Sequence, residues 1–200
     1  MDTYQTIKAA SEGIYTEKRS KFLAFAFPVS TVDEVKERVG EYQKKYYDAR
    51  HVCYAYMLGA ERTEFRANDN GEPSGTAGKP ILGQINSNNL TNILIIVVRY
   101  FGGIKLGTSG LIVAYRLAAA EAINAAEIIE KTIDDSIHIS FPYPDTNRVM
   151  RIVKEETPSI LSQGYDNELC TMTLSIRRDC MPRLRSRLET ILTLRIIDDK

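Results

Sequence analysis

Tryptophan is absent from this 200-residue chain, and cysteine and histidine are scarce, at three and two residues. No apolar run approaches the roughly 18 residues that a membrane-spanning helix needs. Cys53, Cys170 and Cys180 are odd in number and spaced for neither a disulfide framework nor a zinc site, so they read as buried or incidental thiols. His51 and His138 fall in different halves of the pattern described below, which leaves no metal and no cofactor to expect. Net charge is lacking too, with 26 Lys and Arg against 26 Asp and Glu, so any attraction to a polyanion must come from local clusters. The stretch from Met1 to Gly13 has neither the basic start nor the apolar core of a secretory signal, and a cytoplasmic protein without a membrane partner is the expectation. What is present, 44% hydrophobic and 26% charged residues, is the composition of a globular protein able to bury a core, either one large domain or two small ones.

The glycines concentrate between Asn68 and Ala119. Ile93 to Val98 is wholly apolar and β-branched, a strand buried on both faces. A glycine-rich turn follows through Gly102, Gly103, Lys105, Gly107, Thr108, Ser109 and Gly110, and Leu111 to Ala126 then forms an Ala-rich helix. Upstream, Asp69 to Gly75 is a dense turn signal leading into a second helix over Thr76 to Ile85. Between Pro73 and Ala120 stand four cations, Lys79, Arg99, Lys105 and Arg116, and no carboxylate. Lys79, Arg99, Gly102, Gly103, Lys105, Gly107, Thr108 and Ser109 thus form a candidate anion or nucleic-acid site, because unpaired N–H groups and the helix dipole favour negative charge. The competing reading is structural: glycines permit a tight strand-to-helix connection, and Thr108 or Ser109 is an ordinary N-cap. The loop fits neither Gly-x-x-x-x-Gly-Lys-Ser/Thr nor Gly-x-Gly-x-x-Gly.

Along the rest of the first half, Ile7 to Tyr15 and Lys21 to Val29 read as a hairpin. Thr31 to Glu34 matches a capping box, opening a helix with a stripe of Val32, Val35, Val39, Tyr42 and Tyr46. His51 to Leu58 is a central strand. His51 is a candidate acid/base group that Asp69 or Glu72 would orient; the alternative is a histidine that is simply hydrogen-bonded.

Glu127 to Lys131 closes the long helix, and a second domain is expected from residue 131, dividing the chain into 1–130 and 131–200. Ile133 to Phe141 alternates as a strand with one wet face. Asp145 caps a short helix, Ser159 to Tyr165 and Glu168 to Ile176 flank Asp166-Asn167 as a hairpin, Pro182 opens a further helix, and Leu194 to Ile197 ends the chain as a strand. This order is β-α-β-β-α-β, the ferredoxin-like arrangement, in an α+β protein. Its open face, with Ser136, His138, Thr171, Thr173 and Ser175, has no aromatic residue for stacking bases, which argues against an RNA-recognition motif. Arg177, Arg178, Arg183, Arg185 and Arg187, opposed locally by Asp179, form a second basic patch that is either a solvated face or a phosphate-contacting surface.

Two stretches carry a resemblance. Arg99-Tyr100-Phe101-Gly102-Gly103-Ile104-Lys105-Leu106-Gly107 after an apolar strand, and Asp69-Asn70-Gly71-Glu72-Pro73-Ser74-Gly75-Thr76-Ala77-Gly78 before it, resemble the two motifs of the YigZ/Impact family, in order and at the expected separation. The likeness extends over almost the whole chain, and the two-domain layout is similar to that of the bacterial branch. It implies a first domain with the Impact-type β-α fold, shared with the second domain of a small-subunit ribosomal protein, and a ferredoxin-like second domain similar to the fifth domain of elongation factor G. The eukaryotic branch acts in translational control, so the resemblance implies a non-enzymatic regulator that binds ribosome, RNA or a translation-associated protein. It brings no catalytic residue. The competing expectation is an enzyme acting on a phosphorylated small molecule or nucleotide, with the glycine loop as cradle and His51, Asp69 and Glu72 for proton transfer; a third is a protein-interaction module.

Overall fold

The computed structural model describes residues 2–166 and 169–197. By contacts the chain divides into a larger unit, Tyr4–Lys131, and a smaller one that joins the first residues to the stretch from Thr132 onward. The sequence places the boundary at 130/131 and does not anticipate that Asp2 and Thr3 group with the later unit. No helix among the described residues is long and apolar enough to cross a membrane.

In the larger unit, β2 (Ser11–Glu17), β3 (Ser20–Pro28), β6 (Ile93–Tyr100), β4 (His51–Leu58) and β5 (Glu64–Asn68) lie side by side in that order, each pair antiparallel. The central strand β6 is buried from Ile93 to Arg99 because helices cover both faces of the sheet. On one face, α1 (Val32–Lys45) packs Val35, Val39 and Tyr42 against Phe25, Phe27, Val52, Tyr56, Leu94, Ile96 and Val98. Its start is stabilised as the Thr31–Glu34 pattern predicts: Thr31 Oγ1 accepts from Glu34 N at 3.2 Å, although the Glu34 carboxylate takes the N–H of Ser30 rather than that of Thr31. On the other face, α2 (Gly78–Ser87) and α3 (Gly107–Asn124) bury Ile81, Ile85, Ala114, Tyr115, Ala118 and Ala122 against Phe22, Ala24, Cys53, Ile95 and Val97. The small residues at 114, 118, 119 and 122 let α3 lie close to the sheet.

Three expectations need correction. The strand read from Ile7 to Tyr15 is two strands, β1 (Thr3–Ile7) and β2, interrupted at Lys8 to Ala10. Residues 127–131 do not close the long helix: α3 ends at Asn124, and β7 (Ile128–Thr132) pairs with β1, anchored by Lys8 N donating to Glu127 O at 2.9 Å and by a Lys8–Glu127 ion pair. Two adjacent β-branched residues, Ile128 and Ile129, resist the helix once a partner strand is offered. β5 was not anticipated, since Glu64 to Asn68 is an exposed edge with no strong alternation.

The smaller unit runs β8 (Asp134–Pro142), α4 (Thr146–Glu156), β9 (Ser159–Asp166), β10 (Leu169–Arg177), α5 (Met181–Leu188) and β11 (Arg195–Ile197), with sheet order β11-β8-β10-β9. Asn167 and Glu168, within the expected hairpin, lie outside the described residues. Ile137, Ile139, Phe141, Val149, Ile152, Val153, Met172, Leu174, Leu184 and Leu188 form a core of their own. Asp145 stands at the N-cap position of α4, yet its side chain makes no cap bond there and accepts instead from Thr193 and Arg148.

Candidate functional site

Asp69 ends the approach to α2 and organises the turn after it. Its Oδ1 accepts from Ala77 N at 3.0 Å and Gly78 N at 2.8 Å, and its Oδ2 accepts from Gly75 N at 2.8 Å. Burial acts to raise the Asp69 carboxyl, but these three backbone donors, with Lys79 nearby, hold it below the usual carboxylate value. Asp69 is therefore the cap of α2 supplied from outside the helix, and its carboxylate is occupied. Lys79 sits exposed on the first turn of α2 and is not a wall of the cavity described next.

The same turn carries Glu72 inward to meet β6, β4 and α3. Glu72 Oε1 accepts from Arg99 Nη1 at 2.6 Å and from Tyr115 Oη at 2.9 Å, with both partners buried. Cys53 Sγ lies 3.4 Å from Tyr115 Oη, while its single proton goes to Asp69 O at 2.9 Å, a carbonyl that can only accept. Burial raises the Tyr115 phenol far above its ordinary value and pushes the Cys53 thiol up to about 12, so neither ionises near neutrality. Cys53 is a structural donor, not a nucleophile.

His51 opens β4 beside this network. Its Nδ1 is 2.7 Å from Asn70 O, which can only accept, so Nδ1 carries a proton; Nε2 is 3.8 Å from Glu72 Oε2. Arg99 lies between two aromatic rings, with its guanidinium carbon 5.6 Å from the centre of Phe22 and 5.7 Å from that of Phe101. Its Nε is buried without a hydrogen-bond partner.

A cavity of about 410 Å³ brings these groups together with the glycine loop. Arg50, His51, Glu72, Pro73, Arg99, Phe101, Lys105, Leu106, Gly107, Thr108 and Leu111 line it. Of the residues singled out by sequence, the fold thus unites His51, Glu72, Arg99, Lys105, Gly107 and Thr108. Ser109 lies instead beside Tyr15 and Lys18 in a separate depression. Gly102 and Gly103 are outside the cavity lining, and Gly102 has a packing role: a Cβ there would come within 2.1 Å of Arg19 C and 2.3 Å of Ser20 N, while its N–H donates to Ser20 Oγ at 3.1 Å. Gly103 and Gly107 take positive φ of 87° and 72°, which turns the chain from β6 into α3. Neither Thr108 nor Ser109 caps that helix: α3 has no side-chain cap bond and no acidic residue in its first turn. Arg50, Phe101 and Tyr115 were missed. The one visible signal was a lone large polar aromatic, Tyr115, in an Ala-rich helix.

The second basic patch is largely neutralised from elsewhere in the chain. Arg177 pairs with Asp2, Arg178 with Asp135, Arg183 with Glu156, and Arg187 with Glu155 and Glu156. Asp179, the only acid the local sequence sets against these arginines, adds its charge to that of Asp2 beside Arg177. Among the described residues, no group of three or more His, Cys, Asp or Glu could hold a metal ion.

Comparison with known proteins places both glycine-rich motifs within a recognised domain. The model of the Impact N-terminal domain matches residues 18–123, more than half of the chain. The Bacillus subtilis Impact family member YvyE is 36% identical over 155 residues, covering 78% of this chain and 71% of its own. The Escherichia coli member YigZ is 38% identical over 150 residues, covering 74% of each. A solved structure described as that of a hypothetical protein superposes with a TM-score of 0.79 at 25% identity, covering 100% of this chain and 98% of its own. The two-domain translational regulator Yih1 is 20% identical over 60% of this chain and 48% of its own with a TM-score of 0.40, a likeness too slight to transfer anything. A family model over more than half the sequence, and bacterial relatives above 30% identity along most of it, establish that the chain belongs to the Impact family.

Proposed function

We propose that this protein is a translation-associated regulator that acts in the cytoplasm by binding an RNA, free or on the ribosome, rather than by turnover. The carrying observation is the cavity at the start of α3, where Arg50, Arg99 and Lys105 face one carboxylate that Arg99 and Tyr115 already engage. Membership of a family whose eukaryotic branch acts in translational control supplies the biological context. We read the larger unit as the Impact-type β-α domain and the smaller as a ferredoxin-like domain similar to the fifth domain of elongation factor G, a reading supported by its strand order β11-β8-β10-β9.

Binding of RNA or ribosomes measured across a salt series tests this. Three cavity cations engaging a single strand give a slope of log affinity against log salt near −2. Lys105→Ala and Arg50→Ala should each weaken binding and flatten that slope. Binding indifferent to both substitutions rejects the reading, and capture of a protein partner after nuclease treatment points to an interaction module instead.

A second reading has one specific observation in its favour: His51 lines the same cavity as Lys105 to Thr108, with Nε2 not committed to the backbone. An enzyme acting on a phosphorylated small molecule would use that nitrogen for proton transfer. Turnover lost in His51→Gln with substrate binding retained supports it.

A further inference from the structure

Charge and shape in the cavity select among phosphates. Arg50, Arg99 and Lys105 are opposed there only by Glu72 among the described residues, so these cations outnumber the carboxylate by two. Arg50 and Lys105 are exposed and free to follow a ligand, whereas Arg99 is 6% exposed and fixed by Glu72 and the two rings. The Arg99 Nε is buried with no acceptor from the chain. The atom has no accessible surface, so it marks this wall of the cavity as unsatisfied without itself being a contact point unless Arg99 shifts. The start of α3 adds first-turn N–H groups that neither a helix carbonyl nor a side-chain cap takes up.

The rest of the lining is apolar. Phe101 is 49% exposed, with Pro73, Leu106 and Leu111 near it, and offers one ring face to a flat partner. A volume of about 410 Å³ falls in the range of small-molecule sites.

We infer that the cavity is a site for a nucleoside monophosphate, met either as the free nucleotide or as the phosphorylated end of an oligonucleotide. A phosphate monoester carries about 1.5 to 2 negative charges near neutrality against one on a diester, and only the former matches the uncompensated charge. Its oxygens take Lys105, Arg50 and the start of α3, and its base stacks on Phe101. This deepens the binding role proposed above and rests on that cavity receiving phosphate.

Calorimetric titration of the full chain decides it. The ligands are adenosine and guanosine monophosphates, adenosine, cyclic adenosine monophosphate, inorganic phosphate, and one short oligoribonucleotide with and without a terminal phosphate. At least one monophosphate should bind about tenfold or more tightly than adenosine, the cyclic diester or inorganic phosphate. That binding should fall about tenfold in Lys105→Ala and in Arg50→Ala, and Phe101→Ala should weaken the nucleotide while leaving inorganic phosphate unchanged. Arg183→Ala, on α5 outside the cavity, controls for general charge. A preference of the oligonucleotide for its phosphorylated form assigns the source to RNA ends; preference for free nucleotide alone assigns a small-molecule ligand. No monophosphate binding at about 1 mM, or binding that ignores Lys105 and Arg50, overturns the inference. Salt-dependent RNA binding that persists in that case leaves the regulator reading standing, so the two fail separately.

Discussion

Glu72 shows how much a single side chain can decide. It is buried, it balances Arg99, and it receives the hydroxyl of a tyrosine that packs beside a buried thiol. Removing one partner of a buried ion pair leaves the other uncompensated, so Glu72→Gln is expected to cost about 3 kcal/mol in urea unfolding. Tyr115→Phe takes away only one donor and should cost about 1–2 kcal/mol. Cys53 gives a readout that needs no mutation. Its thiol is pushed up to about 12, so it stays protonated across the neutral range. An alkylating reagent at mildly alkaline pH should label Cys180, the partly exposed cysteine, well before Cys53, which reacts only on unfolding. Early labelling of Cys53 would contradict the buried network.

At the scale of elements, the helix starts separate structure from binding. α1 is capped by Thr31 from its own sequence neighbourhood, α2 by Asp69 reaching over from the end of β5, and α3 by no side chain. Loss of the Asp69 cap should destabilise the larger unit by about 1–2 kcal/mol in Asp69→Ala, measured by denaturant. The sign with pH follows from a folded-state pKa below the ordinary carboxylate value. The stabilisation is complete above that ordinary value and disappears as pH falls through the lower, folded one. Glu156 behaves alike: its carboxyl is lowered first by the hydrogen bond from Arg187, with Arg183 adding and burial opposing. Acid titration of stability in Glu156→Gln should therefore lose part of the fall seen in the parent below the carboxylate range. The same ion pairs explain why the arginines around α5 read as a basic patch in sequence. Their partners are Asp2, Asp135, Glu155 and Glu156, and the nearest of these precedes the cluster by more than twenty residues.

For the whole molecule, two separate sets of buried residues imply that the larger unit carries its own stability. Its sheet is covered on both faces by its own three helices, and the core around Ile139, Phe141 and Leu184 belongs to the other unit. A fragment of residues 4–131 is expected to unfold cooperatively and to keep the ligand behaviour of the cavity, as calorimetry and titration would record; a fragment that is unfolded would show that the larger core is insufficient alone. The chain is neutral overall, so long-range steering toward RNA is weak, and any salt dependence must originate in the local cluster at the start of α3.

How much of this was legible in sequence depended on range. The buried strand β6, the capped helix α1, the strand β4 and the order of elements after residue 133 are written in local patterns, because periodicity, β-branching and capping act over a few residues. The glycine loop and its cations were visible for the same reason. The strand β7 was not, since its competing helical pattern is decided by pairing with β1 at the other end of the unit. Sequence by itself determined that a strand, a glycine-rich turn and an Ala-rich helix stand in succession with an excess of positive charge. Only the tertiary structure decided that Asp69 is consumed as a cap, that Glu72 and not Asp69 stands by His51, and that Arg99 is held buried with one donor unmet. Those outcomes depend on which backbone N–H groups and side chains from distant strands converge in a low-dielectric interior, and chain spacing carries no record of that convergence.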